Sequence, residues 1–349
     1  MERKIAGIIN MNIWLTIFLL INSALKTSYY SYDNLIERII LIILCIVGGI
    51  IIQKKISNIF YLNGFKNIYR ATIIISLWWF ILSLLFPNVV YYTSLSILFC
   101  LLFTFCLYQG IFYRKIDKEK FPFFSLLLPL IIIILTFLLL IYRKDYSRAI
   151  VTLFFLVCLY NSFKLKKIVM WRNIFIFVLS ISVITIMIYV YNNRHLLTNF
   201  EPNYTLNPYF SLLGNGLGKS SIINNSNFTY NDINIVRLLI DEIGIFALIC
   251  TNFTGIYLII TLHQLNKLII NSKESHRLLC KGIFWAFTLE LIIFNLSVLG
   301  ILPFSDATHP LLASNIDYLW WNLGLAMIRG LVLRTETLGQ MSQTTIQGI

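Results

Sequence analysis

The residues that could do chemistry are concentrated in one stretch of the chain. A glycine-rich turn, Gly214-Asn215-Gly216-Leu217-Gly218, is followed by Lys219, and Asp232 comes after a polar loop. A nucleotide-binding P-loop would need a glycine where the chain has Leu213, and a strand before the turn. The flanking Asn and Pro residues are typical of loops. The sequence therefore argues against a P-loop, and the turn needs another explanation.

Polar residues recur along the segment that follows Asp232. Asn234, Arg237, Asp241 and Gly244 follow one another at spacings of three, four and three, which places them on one face of a predicted helix. In a membrane, such a face must lie toward the bundle interior or a water-filled cavity, because lipid does not solvate it. Arg237 and Asp241 are one turn apart, so they also fit a simple ion pair, which would not exclude a role in a site.

Two further polar features lie later in the chain. Loop 301–317 contains Asp306, His309 and Asp317, and Glu290 lies near the middle of a hydrophobic stretch. An ionisable residue at that depth indicates a functional site, although a hydrogen-bonded structural role fits Glu290 equally well. The cysteines and histidines form no cluster with the spacing of a metal site, so we expect no metal and no other cofactor.

The composition predicts that these residues are positioned by membrane helices. The chain is 58% hydrophobic and 12% charged, and its mean hydropathy is +0.79. Soluble domains carry about 25% charged residues, so most of this surface must face lipid. About ten apolar stretches approach the length that crosses a bilayer as a helix. The stretches are 5–25, 35–52, 71–86, 90–113, 122–142, 149–163, 173–191, 243–262, 280–304 and 318–333. We expect an all-α, polytopic integral membrane helix bundle.

Positively charged residues predict the orientation of these helices, because Lys and Arg stay on the cytoplasmic side. With the N-terminus inside, most of the 28 Lys and Arg residues fall on inside segments. Both termini are then cytoplasmic in a multi-pass protein of the cell (inner, cytoplasmic) membrane. The net charge of +13 is on this interpretation largely an orientation signal, and it requires no nucleic-acid partner.

The predicted organisation has four parts. Residues 1–191 form a scaffold of about seven transmembrane helices, whose few charges lie almost all at helix ends. Residues 192–232 form a large exterior loop after the seventh helix, residues 233–334 form three helices that complete the site, and residues 335–349 form a cytoplasmic tail. We expect the scaffold to serve for packing and for contact with lipid.

The glycine-rich turn, the polar loop and the helix that runs to Glu242-Ile243-Gly244 resemble the O-antigen polymerase and O-antigen ligase family of membrane proteins. The ending Trp320–Gly330 also looks like the last helix of such proteins. The related SEDS glycosyltransferases have a similar pattern, with Asp232 in the place of their catalytic Asp but with one extra residue before Gly244. Residues 303–305 lack the Tyr-Gly-Gly that usually follows in the SEDS group. The helix-opening His of the ligase pattern is absent, which makes ligation the less favoured branch.

The resemblance implies transfer of glycan repeat units between polyprenyl-diphosphate-linked saccharides at the outer face of the membrane. Asp232 is the candidate general base, and Arg237, with its fork of donors, is the candidate partner of the diphosphate. Glycines in the turn would let the backbone approach a bulky ligand closely. The further candidates for substrate binding are Arg143, Arg148, Arg194, Lys219, Asp241, His309, Gly216 and Gly218. The expected partners are polyprenyl-diphosphate-linked oligosaccharide, membrane lipid and other polysaccharide-assembly proteins.

Three other functions stay open at this point. A SEDS-like peptidoglycan glycosyltransferase would use the same chemistry on another saccharide. A non-enzymatic flippase or transporter of lipid-linked oligosaccharide is favoured by Glu290, although the sequence contains no internal repeat of the kind that transporters show. A membrane scaffold for other polysaccharide enzymes would need no site at all.

Overall fold

Long apolar runs without helix-breaking residues favour helices in this chain, since only helices and closed barrels satisfy the backbone in lipid. A computed structural model describes residues 2–28, 35–63, 146–161, 235–269, 274–298 and 315–347, together with positions 102, 181, 185, 188, 214, 216 and 309. Within these ranges the chain is almost entirely α-helical and contains no strand. The helices are α1 (Glu2–Ser28), α2 (Leu35–Asn63), α3 (Tyr146–Asn161), α4 (Ile235–Ile243), α5 (Ile245–Leu268), α6 (Glu274–Val298) and α7 (Asn315–Gln347).

Three of these helices contain segments that are long and apolar enough to cross a membrane. The segments are Ile39–Leu62, Ile245–Leu268 and His276–Leu296, and α1 contributes the shorter apolar segment Ala6–Ile21. The all-helical class and the presence of membrane-spanning helices agree with the prediction from composition. Most of the predicted helices 71–86, 90–113, 122–142 and 173–191, and most of the predicted exterior loop 192–232, lie outside the described residues.

Helix ends differ from the ends of the apolar stretches. The apolar run at the start of α2 stops at residue 52, but the helix continues through Gln53, Lys54 and Lys55 to Asn63. Likewise α7 continues to Gln347 and includes most of the stretch predicted as a tail. Polar residues do not terminate a helix on their own, so a helix that leaves the hydrocarbon can continue into the aqueous layer.

Small residues bring α2 and α7 together. A Cβ atom added to Gly49 would lie 2.9 Å from Cε1 of Tyr318, and one added to Gly330 would contact the backbone oxygen of Ser57. Arg334 then reaches back from α7, with its Nη1 2.8 Å from the backbone oxygen of Leu62. Close approach at small residues is how helices associate in lipid, where the hydrophobic effect no longer drives them together.

A second group of contacts joins α3, α5 and α6. Gly255 on α5 faces Leu291 on α6, where an added Cβ would lie 2.9 Å from a Leu291 methyl carbon. Beside it, the side-chain amides of Asn252 and Asn295 donate to each other, with both N···O distances 2.7 Å. Helix α3 packs against α6, and its buried residues include Phe155 and Leu159. Helix α5 of this group directly follows α4, the helix that carries candidate site residues.

Candidate functional site

The polar segment after position 232 is broken at one glycine. Helix α4 ends at Ile243. Gly244 has φ 86° and ψ −162°, a backbone conformation that residues with a Cβ atom rarely adopt. The N–H of Gly244 still donates to the Ile240 oxygen at 2.8 Å, and α5 starts afresh at Ile245. The prediction that Gly244 continues the polar face of one helix is therefore wrong: the residue is the joint between two helices.

The glycine-rich turn contacts this joint directly. The backbone N–H of Gly216 donates to the backbone oxygen of Glu242 at 2.9 Å. Gly214 has φ 63°, and an added Cβ would touch the Glu242 carbonyl group and lie 2.6 Å from the Gly244 nitrogen. At Gly214 the absence of a side chain thus serves a close approach to the protein's own backbone, where the sequence analysis expected a close approach to a ligand. Two stretches separated by a long polar loop in the sequence form one contact.

The two acidic residues of α4 are next to this contact in the chain. Glu242 is only 2% exposed, and its neighbour Asp241 is half-buried. Glu242 does not belong to the predicted polar face of Asn234, Arg237 and Asp241, yet it is buried inside the protein. Arg237 occupies α4 one turn before Asp241, so the two positions share a face of the helix. Helix α4 precedes the span that starts at Ile245, so these charges lie beyond the end of the apolar segment.

His309, in the connection between α6 and α7, is almost completely enclosed. It is 1% exposed, and its ring stands edge-on to Phe294, with centroids 5.0 Å apart and an interplanar angle of 89°. A hydrogen bond to the backbone of Thr251 joins it to α5. Burial disfavours the charged imidazolium and lowers the pKa of His309 to about 3, an effect larger than the opposing one of the hydrogen bond. Near neutral pH the ring therefore carries no positive charge that could be offered to a diphosphate.

Glu290 lies on α6 five residues before Asn295, on the helix that packs against α5. Its side chain is buried, as is expected for an ionisable residue in the middle of a spanning segment. Both roles that the sequence left open for Glu290, functional and structural, need such a position in the bundle interior.

The other predicted site residues are placed only in part. Arg148 lies in the first turns of α3, and Arg237 lies in α4. Asp232, Arg143, Arg194, Lys219 and Gly218 lie outside the described residues. In the part of the chain that the structure describes, no group of three or more His, Cys, Asp or Glu side chains could hold a metal ion.

A second polar region lies between helices that the sequence did not mark as a site, since the scaffold was expected to serve for packing and for contact with lipid. A cavity of about 450 Å³ is lined by residues of α1, α2 and α7, among them Gln53, Asn322 and Arg329. The signal was present as polar residues one turn apart, Asn12 with Thr16 on α1 and Gln53 with Ser57 on α2. Such pairs lie on one face of each helix, and the three helices bring these faces together.

Comparison with protein families and with curated proteins identified no relative of this chain. No protein-family model matches the chain, and no curated protein matches it.

Proposed function

We propose that this protein is a membrane glycosyltransferase that joins glycan repeat units carried on polyprenyl diphosphate, at the outer face of the cell membrane. The observation that carries the proposal is the contact between the glycine-rich turn and the break after Glu242. These are the two parts of the motif on which the resemblance to O-antigen polymerases rests. Their backbones lie within hydrogen-bonding distance, at 2.9 Å between the Gly216 nitrogen and the Glu242 oxygen.

The reaction requires a general base and a cationic group that stabilises the negative charge on the leaving diphosphate. A hydroxyl oxygen of one lipid-linked saccharide attacks the anomeric carbon of another and forms the new glycosidic bond. The bond from that carbon to the diphosphate oxygen breaks, and polyprenyl diphosphate leaves with the electron pair. The hydroxyl proton passes to the carboxylate of Asp232, and the guanidinium of Arg237 offsets the charge that develops on the diphosphate.

The position of α4 along the chain suits such a substrate. The diphosphate of a polyprenyl carrier lies near the membrane surface, since its chain is in the hydrocarbon and its charges need water or cations. Helix α4 lies just beyond the span that begins at Ile245, and it carries Arg237 one turn from Asp241. Gly214 and Gly216 of the turn lie at the C-terminal end of this helix.

The test is chain growth by the purified protein in proteoliposomes supplied with lipid-linked repeat units. We expect Asp232→Asn and Arg237→Ala each to abolish polymer while the amount of protein in the membrane stays the same. Loss of a general base typically lowers the rate by about 10²–10⁴. Lys267→Ala is the control, because Lys267 is exposed near the far end of α5. Wild-type polymer in both site variants would remove the assignment. Replacing the repeat units with lipid-linked peptidoglycan precursor tests the SEDS-like alternative.

A second candidate is translocation of the same lipid-linked saccharide without chemistry. It is favoured by buried Glu290 within a spanning segment, since intramembrane carboxylates are common in transporters. The same proteoliposomes separate the two functions. Transfer of labelled saccharide to the opposite leaflet without chain growth, lost in Glu290→Gln, would establish translocation.

A further inference from the structure

The cavity between α1, α2 and α7 is polar although its helices are mainly apolar. Gln53, on the spanning segment of α2, is 7% exposed and lines the cavity. Its Nε2 lies 3.0 Å from Oδ1 of Asn12 on α1 and 3.0 Å from the backbone oxygen of Asn322 on α7. One turn further along α1 from Asn12, the hydroxyl group of Thr16 lies 3.1 Å from the hydroxyl group of Tyr318 on α7. Each of the three helices thus contributes polar groups to one cavity.

Two polar atoms at this cavity have no hydrogen-bond partner within the described part of the chain. They are Oε1 of Gln53, which accepts hydrogen bonds, and Nε of Arg329, which donates them, and both atoms are buried. A buried polar atom without a partner costs about 1–3 kcal/mol, so most such atoms in proteins are satisfied. A ligand with a hydroxyl donor and an anionic acceptor would satisfy both atoms.

The charged residues that line the cavity indicate that the ligand carries negative charge. Lys54 and Arg329 line the cavity, and among the described residues no carboxylate does so. Lys54 is exposed at the open side, whereas Arg329 is half-buried. Arginine offers a planar fork of donors that matches phosphate oxygens, and lysine adds a mobile point charge. Ile50, also in the lining, is 62% exposed and continues into the apolar outer surface of α2.

We propose that this cavity binds a phosphate ester that carries a free hydroxyl group, supplied by the headgroup of an anionic membrane lipid. The phosphate lies between Arg329 and Lys54, the hydroxyl donates to Oε1 of Gln53, and the lipid chains lie over Ile50 and the adjoining apolar face. This inference goes beyond the proposed glycosyl transfer and does not depend on it, because the cavity shares no residue with the turn or the break at Gly244.

Native mass spectrometry of the detergent-purified full chain tests the proposal. The probes are phosphatidylglycerol, phosphatidylcholine with the same acyl chains, and glycerol 3-phosphate. Lys54→Gln and Lys55→Gln form a matched pair: both lysines are exposed neighbours on α2, but only Lys54 lines the cavity. We expect Lys54→Gln to weaken phosphatidylglycerol binding about fivefold, Arg329→Gln to weaken it about tenfold or more, and Lys55→Gln to leave it unchanged.

The outcomes separate the sources of the phosphate. Phosphatidylglycerol binding with this order of variants, and weaker binding of phosphatidylcholine, supports a lipid headgroup. The same order of variants with glycerol 3-phosphate alone supports a soluble phosphate ester in the same site. Equal effects of Lys54→Gln and Lys55→Gln, or equal binding of the two lipids, would overturn the proposal. Lys54 is exposed, so its replacement keeps the test valid if Arg329→Gln fails to fold.

Discussion

Replacing Gly214 by alanine tests the contact on which the proposed function rests. The added methyl group would overlap the carbonyl of Glu242 and lie 2.6 Å from the Gly244 nitrogen. All three crowded atoms belong to the backbone, so no side-chain rotation relieves the overlap. The φ of 63° is unfavourable for alanine as well. The turn must therefore shift away from the joint, and the hydrogen bond from Gly216 to Glu242 must lengthen.

The magnitude follows from three contributions. The left-handed backbone conformation costs alanine about 1–2 kcal/mol. Overpacking against atoms that cannot move away costs about 1–3 kcal/mol. Loss of the 2.9 Å hydrogen bond costs about 0.5–1.5 kcal/mol. The chain relieves some of these by moving, so we expect the docked turn to lose about 3 kcal/mol, which is a shift of roughly 150-fold in its docking equilibrium.

Hydrogen exchange at the amide of Gly216 measures this shift, because that amide exchanges only when its bond to Glu242 opens. We expect exchange to accelerate by about 150-fold in Gly214→Ala. Gly7→Ala is the matched control: Gly7 is helical, and its added Cβ would lie 3.7 Å from the nearest side chain, Thr261 on α5. Wild-type exchange at Gly216 in Gly214→Ala would refute the docking of the turn. If the proposed function is also right, polymer synthesis falls together with docking.

Two further predictions concern the helices around the joint. Asn252→Leu and Asn295→Leu should each lower the thermal stability of the detergent-solubilised protein, and the double variant should lose about 1 kcal/mol less than their sum, since each amide bonds the other; additive losses would contradict the pairing. His309 keeps its neutral form in the folded state down to a pKa of about 3, whereas the unfolded state takes up a proton near pH 6.5. The contribution of His309 to stability is therefore complete above about pH 7.5 and is lost as the pH is lowered toward 3, with a loss of about 1.4 kcal/mol between pH 7.5 and 5.5. His309→Gln should lack this loss and His263→Gln, at an exposed position, should keep it; an unchanged pH dependence in His309→Gln would show that the ring is not the cause.

The spanning helices were predictable because their signal is composition. Lipid admits few charges, so the apolar stretches 35–52, 243–262 and 280–304 overlap the candidate spans Ile39–Leu62, Ile245–Leu268 and His276–Leu296. Their ends were not predictable from the same signal. A helix ends where its backbone finds other partners or a residue such as Gly244 turns it, and hydropathy records neither event.

The joint at Gly244 shows why periodicity alone was insufficient there. Spacings of three and four residues place Arg237 and Asp241 on one face, and α4 does place those positions one turn apart. The same spacing predicted that the polar face extends to Gly244, because a periodic pattern does not include the effect of residues that are distant in the sequence. At the break, Gly214 and Gly216 approach from the other side of a long polar loop: Gly214 lies close to the Glu242 carbonyl, and the Gly216 N–H donates to the Glu242 oxygen just where α4 ends.

The polar cavity was overlooked for a related reason. Asn12 and Thr16 are two polar residues in an otherwise apolar helix, and Gln53 and Ser57 lie where α2 changes from apolar to charged. Each pair taken alone is weak, since isolated polar residues occur in many spanning helices. What makes them a site is that α7 approaches closely enough at Gly49 and Gly330 to bring its own polar residues against both pairs. A helix–helix distance set by two glycines thus decides whether these side chains are scattered or form one cavity, and a larger residue at Gly330 should alter the cavity as well as the packing.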